Sequence, residues 1–236
     1  MTETLVFLPA WNEESNIPAV LDELARDLPA PDVLVVDDGS TDGTAEVARG
    51  RGAEVISFEH NRGLREAIAA GYRYADEHDY AYCGRIDADG QHPVAELRRL
   101  LDLVRSGACD VAVGSRFAAG EGYEPYRYES SGARSFGTAV LRRALPLRLG
   151  RRFMDPTSGM YAVNAKALPI LAEPYRSGAP EVESLLRLAD AGLVVEEVPV
   201  DMRPRAGGRS KLTGKRALML VGTVFGTLLL YRRLRR

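Results

Sequence analysis

Tyr80-Ala81-Tyr82-Cys83-Gly84-Arg85-Ile86-Asp87-Ala88-Asp89-Gly90-Gln91-His92-Pro93 is the stretch that decides the fold. Its opening, Tyr80–Arg85, reads as a short buried strand. The chain then turns polar at once, with two carboxylates one residue apart. Carboxylates where a strand gives way to a loop form a hard-oxygen site, suited to a divalent cation held against a diphosphate. Taken alone, Asp-Ala-Asp-Gly is more often just a polar turn. The segments on either side decide between the two.

Working toward the start of the chain, Thr4–Leu8 reads as a buried strand ending at Pro9. Ile17–Leu28 has helical periodicity, with Ser15 or Asn16 as its cap. Val33–Val36 is a β-branched run closed by Asp37-Asp38-Gly39-Ser40. A helix over Thr44–Arg51, a strand over Glu54–Phe58 and a helix over Gly63–Tyr74 follow. Beyond the acidic pair, Val94–Ser106 is amphipathic and Asp110–Gly114 is a strand. Strands alternating with helices predict an α/β fold with a mainly parallel, Rossmann-like sheet flanked by helices. Ligands in such sheets bind at the carboxyl ends of the strands. Those ends are Pro9–Glu14, Asp37–Asp42, Asp87–Asp89 and Gly114–Arg116, where the unusual polar residues collect. After residue 117 the character changes. Gly120–Arg134 reads as a loop or short helix, Ala133–Leu149 as a basic amphipathic helix, Val194–Val200 as a late strand and Arg203–Gly214 as a basic glycine-rich loop.

The chain has 236 residues, 45% of them hydrophobic and 27% charged, enough for a proper core. A net charge of −2 gives no global sign of nucleic-acid binding. The charge is unevenly placed: Asp201–Arg236 holds ten Lys/Arg and one acid, leaving a net −11 on residues 1–200. The two cysteines, Cys83 and Cys109, have no metal-ligand spacing and are expected to be reduced core residues. Met1–Ala10 is too short and too acidic for a signal peptide, so the body is expected to face the cytoplasm. Ala217–Tyr231 carries no charge over fifteen residues and has cations at both ends. It is short for a membrane span, which needs ~20 apolar residues. A core helix, a helix lying in the membrane interface and a helix packed on a membrane partner all fit it.

Individual residues carry chemistry. Glu13 stands at the carboxyl end of the first strand, where it can accept hydrogen bonds from a base or ribose. Glu14 suits a helix N-terminus. In Val36–Thr44, Gly39 permits a tight bend, Asp42 or Thr44 can cap the next helix, and Asp38 is left to face a ligand. His92 is as well read as a solvent-facing loop residue as a metal ligand.

Pro9–Glu14, Val36–Thr44, Asn61–Leu64, Arg85–Pro93, Gly114–Phe117 and Asp155-Pro156-Thr157-Ser158-Gly159, in that order, resemble the family-two glycosyltransferases of GT-A fold. The branch they look most like is the dolichyl/polyprenyl-phosphate mannosyl- and glucosyltransferases. The resemblance implies a GT-A catalytic domain over residues 1–212, with 213–236 as a C-terminal apolar and basic helix that meets the membrane or a partner. It implies that Pro9, Trp11, Glu13 and Asp38 hold the nucleoside. Asp87 and Asp89 match the D-x-D, with Gln91 the neighbouring metal-site residue and Mg2+ or Mn2+ the ion. Arg116 matches an arginine that meets phosphate, and Arg134 lies where the branch has another basic residue. Arg205, Gly208, Ser210 and Lys211 match a late loop that closes over phosphate. Arg65 and Met160-Tyr161 depart from the pattern, which puts donor and acceptor identity in question. Pro180–Glu183 looks like the acidic helix start of bacterial members that work on polyprenyl phosphate beside a small membrane protein.

The expected chemistry is an inverting, metal-dependent transfer from a GDP-mannose or UDP-glucose type donor to polyprenyl phosphate, at the cytoplasmic membrane face. Asp89 is expected to hold the metal, Arg116 and Lys211 to steady the leaving phosphate, and Asp87 to touch ribose, or metal through water. A lipid monophosphate is already an anion and needs cations, for which Arg134, Arg205 and Arg209 are candidates. A saccharide hydroxyl, as in cell-wall or capsule assembly, needs a carboxylate base, and Asp155 is the candidate. A non-catalytic nucleotide-sugar-binding subunit is the reading from a different class. The expected partners are the donor, the lipid acceptor, and an anionic membrane surface or a small integral-membrane subunit. A homo-oligomer is left open.

Overall fold

The computed structural model describes residues 3–123 and 153–203. Seven strands form one sheet: β1 (Thr4–Ala10), β2 (Asp32–Asp37), β3 (Glu54–Ser57), β4 (Tyr82–Arg85), β5 (Val111–Ser115), β6 (Tyr161–Asn164) and β7 (Val195–Pro199). Their order is β3-β2-β1-β4-β6-β5-β7. The strands pair in parallel except β6, which runs antiparallel to both β4 and β5. The mainly parallel α/β expectation is met, with an antiparallel strand in the middle that the sequence reading did not foresee.

The helices are α1 (Ile17–Asp27), α2 (Thr44–Gly50), α3 (Leu64–Glu77), α4 (Val94–Arg105), α5 (Leu168–Ala172) and α6 (Pro180–Asp190). They cover both faces of the sheet, so a central strand such as β1 is buried along its whole length. Successive β1 residues point to opposite sides. Leu5 and Phe7 join Tyr72, Tyr161, Leu171 and Leu185 in one core, while Val6 and Leu8 join Ile17, Leu24, Leu97 and Leu101 in the other. In α1, Ile17, Val20, Leu21 and Leu24 repeat at helical spacing and form the buried stripe. In α4 that stripe is Val94, Leu97, Leu100, Leu101 and Val104. Where α3 crosses β1, the Phe7 ring occupies the place a side chain at Gly71 would take. Cys83 and Cys109 are both free and buried, as expected.

Two differences at element ends have local causes. Neither Ser15 nor Asn16 caps α1 through its side chain. Asn16 is turned to Glu13, donating from Nδ2 to Oε2 at 2.7 Å. The Glu14 carboxylate serves α2 instead of the helix that follows it, accepting from the Gly43 amide at 3.0 Å.

Because β6 runs backwards, the segment leading into it, 155–160, lies at the carboxyl end of β4. Tyr161 stands opposite Arg85 in the register. Among the described residues β7 is an edge strand of the sheet. Among the described residues no helix is long and apolar enough to cross a membrane. The expected helices at Ala133–Leu149 and Ala217–Tyr231, the 213–236 unit and the loop beyond Arg203 lie outside the described residues. So do Arg134, Arg205, Gly208, Arg209, Ser210 and Lys211.

Candidate active site

The loops after β1 and β2 are sewn together by short polar side chains. Asn12 adopts a left-handed backbone, φ 53°. Its amide donates to Ser40 Oγ at 2.9 Å, and its own Oδ1 accepts from the Thr41 amide at 2.8 Å. The Glu13 amide donates to Thr44 Oγ1 at 2.9 Å. Asp42 accepts from the Glu14 and Thr44 amides. Pro9 is buried in β1 opposite Val36. Trp11 stands 38% exposed at the rim, beside this rigid crest.

Asp38 departs from expectation. Its carboxylate is not left to face a ligand. It accepts from Asn61 Nδ2 at 3.0 Å, from the Arg62 amide at 2.7 Å and from the Gly63 amide at 2.9 Å. Burial pushes its carboxyl above the ordinary value, against the pull of those amides. Asp38 therefore shapes the 61–63 loop. Gly39 is part of the same fit: at φ 66°, a Cβ there would stand 2.5 Å from the Asn61 nitrogen.

The acidic loop after β4 is held from three sides. The Asp87 amide donates to His92 Nδ1 at 3.0 Å, which puts the imidazole proton on Nε2, 4.0 Å from Asp87 Oδ2. His92 is 5% exposed, so it is not a solvent-facing histidine. Burial moves its pKa down, the neighbouring Asp87 and Asp89 carboxylates working against that. Arg85 lies beneath, its Nη2 3.9 Å from Asp87 Oδ1. Gly159 forms the wall: a Cβ there would come within 2.6 Å of Asp87 Oδ2. The Asp87 side chain remains 38% exposed. Asp89 is 8% exposed, and its Oδ1 accepts from the Gln91 amide at 3.1 Å.

Gln91 also departs from expectation. Its side-chain amide is directed away to Arg203, Nε2 donating to the Arg203 carbonyl at 3.3 Å. The backbones of the two residues are also joined, Arg203 N to Gln91 O at 2.9 Å. Arg203 is further tied to Glu23, whose Oε1 accepts from Arg203 Nη2 and from the Val94 amide at the head of α4. These bonds, chiefly the one to Arg203, outweigh burial and hold the Glu23 carboxyl below its ordinary value.

At the end of β5, Arg116 and Asp155 form a two-pronged pair, Nε to Oδ2 at 2.7 Å and Nη2 to Oδ1 at 2.8 Å. The Asp155 side chain is 0% exposed. Its amide and that of Met154 donate to Glu197 on β7. Asp155 is thus not an open base: both of its oxygens are bonded by the Arg116 guanidinium, which also reaches Thr157 Oγ1 and stays 32% exposed.

The structure brings Asp87, Asp89, Gln91 and the start of the basic loop together, and sets Pro9, Trp11, Glu13 and Asp38 on the neighbouring crest. Among the described residues no three acids, histidines or cysteines cluster tightly enough to enclose a metal. Two carboxylates on one loop suit an ion that takes its remaining ligands from substrate phosphates and water, as Mg2+ does. Glu23 and Glu197 were missed as site-building residues, and Arg85, Gly159 and Glu181 stood inside quoted motifs without a role of their own. Arg85 had a signal, a cation inside an otherwise apolar strand. The roles of the others depend on contacts between residues far apart in sequence.

The comparisons with known proteins agree with this geometry. The chain is 33% identical over 221 residues to an undecaprenyl-phosphate mannosyltransferase of Micrococcus luteus, covering 89% of this chain and 87% of that one. It is 30% identical to a polyprenol monophosphomannose synthase of Mycolicibacterium smegmatis, covering 89% and 81%. Glucosyl-3-phosphoglycerate synthase from Mycobacterium tuberculosis, solved with Mn2+, UDP-glucose and phosphoglyceric acid, has the same GT-A type fold. It superposes with a TM-score of 0.69 at 23% identity, over 95% of this chain and 79% of that one. The family profile described as Glycosyl transferase family 2 matches residues 5–168. The D-x-D loop at the end of a parallel strand fits this match, and the family profile and relatives together show that the chain is a glycosyltransferase and belongs to glycosyl transferase family 2.

Proposed function

We propose that the chain moves a sugar, with inversion, from a nucleotide sugar of GDP-mannose or UDP-glucose type to polyprenyl phosphate at the cytoplasmic face of the membrane. The observation that carries the acceptor is the Arg116–Asp155 pair. A sugar hydroxyl needs a carboxylate base within hydrogen-bond reach. Asp155 has both oxygens bonded by Arg116, and Glu181 Oε1 is bonded by Arg85. A phosphate monoester needs no base, because it attacks as an anion. The names of the M. luteus and M. smegmatis relatives support the same acceptor.

The crest of Pro9, Trp11 and Glu13 receives the nucleoside, its shape fixed by Asp38 and the Asn12 and Thr44 bonds. Asp89 and Asp87 face the diphosphate. A divalent cation bound there would neutralise the charge that grows on the leaving β-phosphate. Asp89 is oriented for that by the Gln91 amide, and Asp87 by His92, Arg85 and Gly159. Lys211 and Ser210 are assigned to the donor phosphates, and Arg134 and Arg205 to the acceptor phosphate. The chain enters their loop at Arg203, bonded to Gln91 on the metal loop. Lys211 is eight residues further on in the sequence.

Two experiments test this reading. Incubation of labelled nucleotide sugar with polyprenyl phosphate or with soluble oligosaccharide should give product with the lipid; product from the oligosaccharide alone would sink the lipid reading. The basic, apolar 213–236 segment is assigned to membrane docking, directly or through a small membrane subunit. Truncation after Gly214 should shift the protein from the membrane to the soluble fraction, and unchanged membrane association would remove that role.

A further inference from the structure

Arg85 is a full positive charge placed inside the sheet, 1% exposed. It ends β4 on the face that carries Phe7, Tyr72, Cys83 and Tyr161, with its guanidinium carbon 5.8 Å from the Tyr161 ring centre. Burying a cation costs several kcal/mol unless acids compensate it. Its compensation comes from two carboxylates far apart in sequence. Nη2 donates to Glu181 Oε1, in the first turn of α6, at 3.0 Å. The same nitrogen lies 3.9 Å from Asp87 Oδ1, close enough for attraction and too far for a hydrogen bond. Arg85 Nε and the Tyr161 hydroxyl, both buried, have no hydrogen-bond partner in the structure.

One nitrogen therefore stands between two carboxylates and is bonded to one of them. We propose that Arg85 is a positioning residue shared between Glu181 and Asp87, and that this sharing sets how readily Asp87 accepts the divalent cation. While Glu181 holds the guanidinium, the Asp87 oxygens stay turned toward the donor. If Glu181 is lost, Asp87 is the remaining carboxylate beside a buried cation. The guanidinium then closes the 3.9 Å gap and competes with the metal. Of the other described neighbours of Asp87, Gly159 has no side chain, and His92 spends Nδ1 on the Asp87 amide and stands with Nε2 4.0 Å from Asp87 Oδ2, beyond hydrogen-bond distance. In this way α6, a helix far from the acidic loop in sequence, governs the loop's affinity. The inference rests on the metal-dependent sugar transfer proposed above.

Mn2+ titration of the full chain, with GDP or UDP present and free Mn2+ read by electron paramagnetic resonance, tests it. Glu181→Ala should raise the Mn2+ Kd about tenfold, the usual scale for removing a group that orients a metal ligand. Glu181→Gln should raise it less, because its amide oxygen still accepts the Arg85 bond. The activity lost in either variant should return at saturating Mn2+, as expected for weakened metal uptake and not for a damaged fold. A cooperative melt confirms folding, and Glu181→Gln carries the test if the alanine variant does not fold. Wild-type Mn2+ affinity in a folded variant would overturn the inference and leave the sugar-transfer reading standing. Absence of Mn2+ binding in the wild-type chain with either nucleotide, or binding that Asp89→Ala leaves unchanged, would overturn both.

Discussion

The two sides of the sheet's carboxyl end are held together by different chemistry. On the side of β1 and β2, acids and hydroxyls are bonded mainly by backbone amides: Asp38 by Arg62 and Gly63, Asp42 by Glu14 and Thr44, Ser40 by Asn12. On the side of β5 and β7, arginine meets acids as well: Arg116 holds Asp155, and Arg203, just after β7, reaches across to Glu23 on α1. Bonds to amides fix loop shape and are little affected by salt. Pairs between side chains depend on charge, pH and partner choice. The difference teaches where each substrate is expected. A rigid crest suits one nucleotide held in one pose, and a surface of paired charges suits anionic groups that arrive and leave.

Four perturbations would break or sharpen that contrast. Asp89→Ala should cost the most, about 10²–10³-fold in kcat with little change in melting temperature, since it removes the group proposed to hold the cation. A transfer assay with labelled donor and a thermal melt decide it. Asp155→Asn comes next. Breaking a pair with a buried carboxylate costs about 3 kcal/mol. Denaturant unfolding should show that loss, and a wild-type midpoint would show that the β5 side does not depend on its ion pair. Gly159→Ala should be milder: its Cβ must displace Asp87, at about 1–3 kcal/mol of crowding. The Mn2+ requirement should rise with it, and an unaltered metal dependence would show that the wall at Gly159 is irrelevant.

The smallest effect is a matter of pH. Glu23 is held below its ordinary value near 4.5, so it stabilises the fold above that value and ceases to as the pH falls through its folded value. Glu23→Gln should therefore melt about 1 kcal/mol less stably near neutral pH. The gap should close as the pH falls through that lowered folded value, below which the wild-type carboxyl is protonated too. A gap that stays constant would mean that the anchor of Arg203 does not act through charge.

The first half of the fold was legible because its signals are local. Apolar runs ending in Pro9, Asp37 and Arg85 gave three parallel strands, and the motifs fell at their ends. β6 was not legible. Tyr161–Asn164 is only four residues long with no alternation, and its place between β4 and β5 is decided by partners far away in sequence. The same limit explains the site residues whose surroundings were misread. Residue type told that Asp38, His92 and Asp155 matter. Only the fold could tell that Asp38 organises a loop, that His92 is buried against the Asp87 backbone, and that Asp155 is locked to Arg116.

The antiparallel β6 has a consequence for how the molecule is made. Chain synthesis delivers β4 and β5 long before β6, yet β6 pairs with both. A nascent chain that has not reached Tyr161 carries an unfilled slot in its sheet, with two naked edges able to pair with other chains. Nor can Arg85 be buried before then, because Tyr161 and Glu181 are still to come. The cation behind the acidic loop is thus among the last groups to leave water. Filling the slot joins the two halves of the sheet, and the later Glu181, Glu197 and Arg203 then add their bonds to the site.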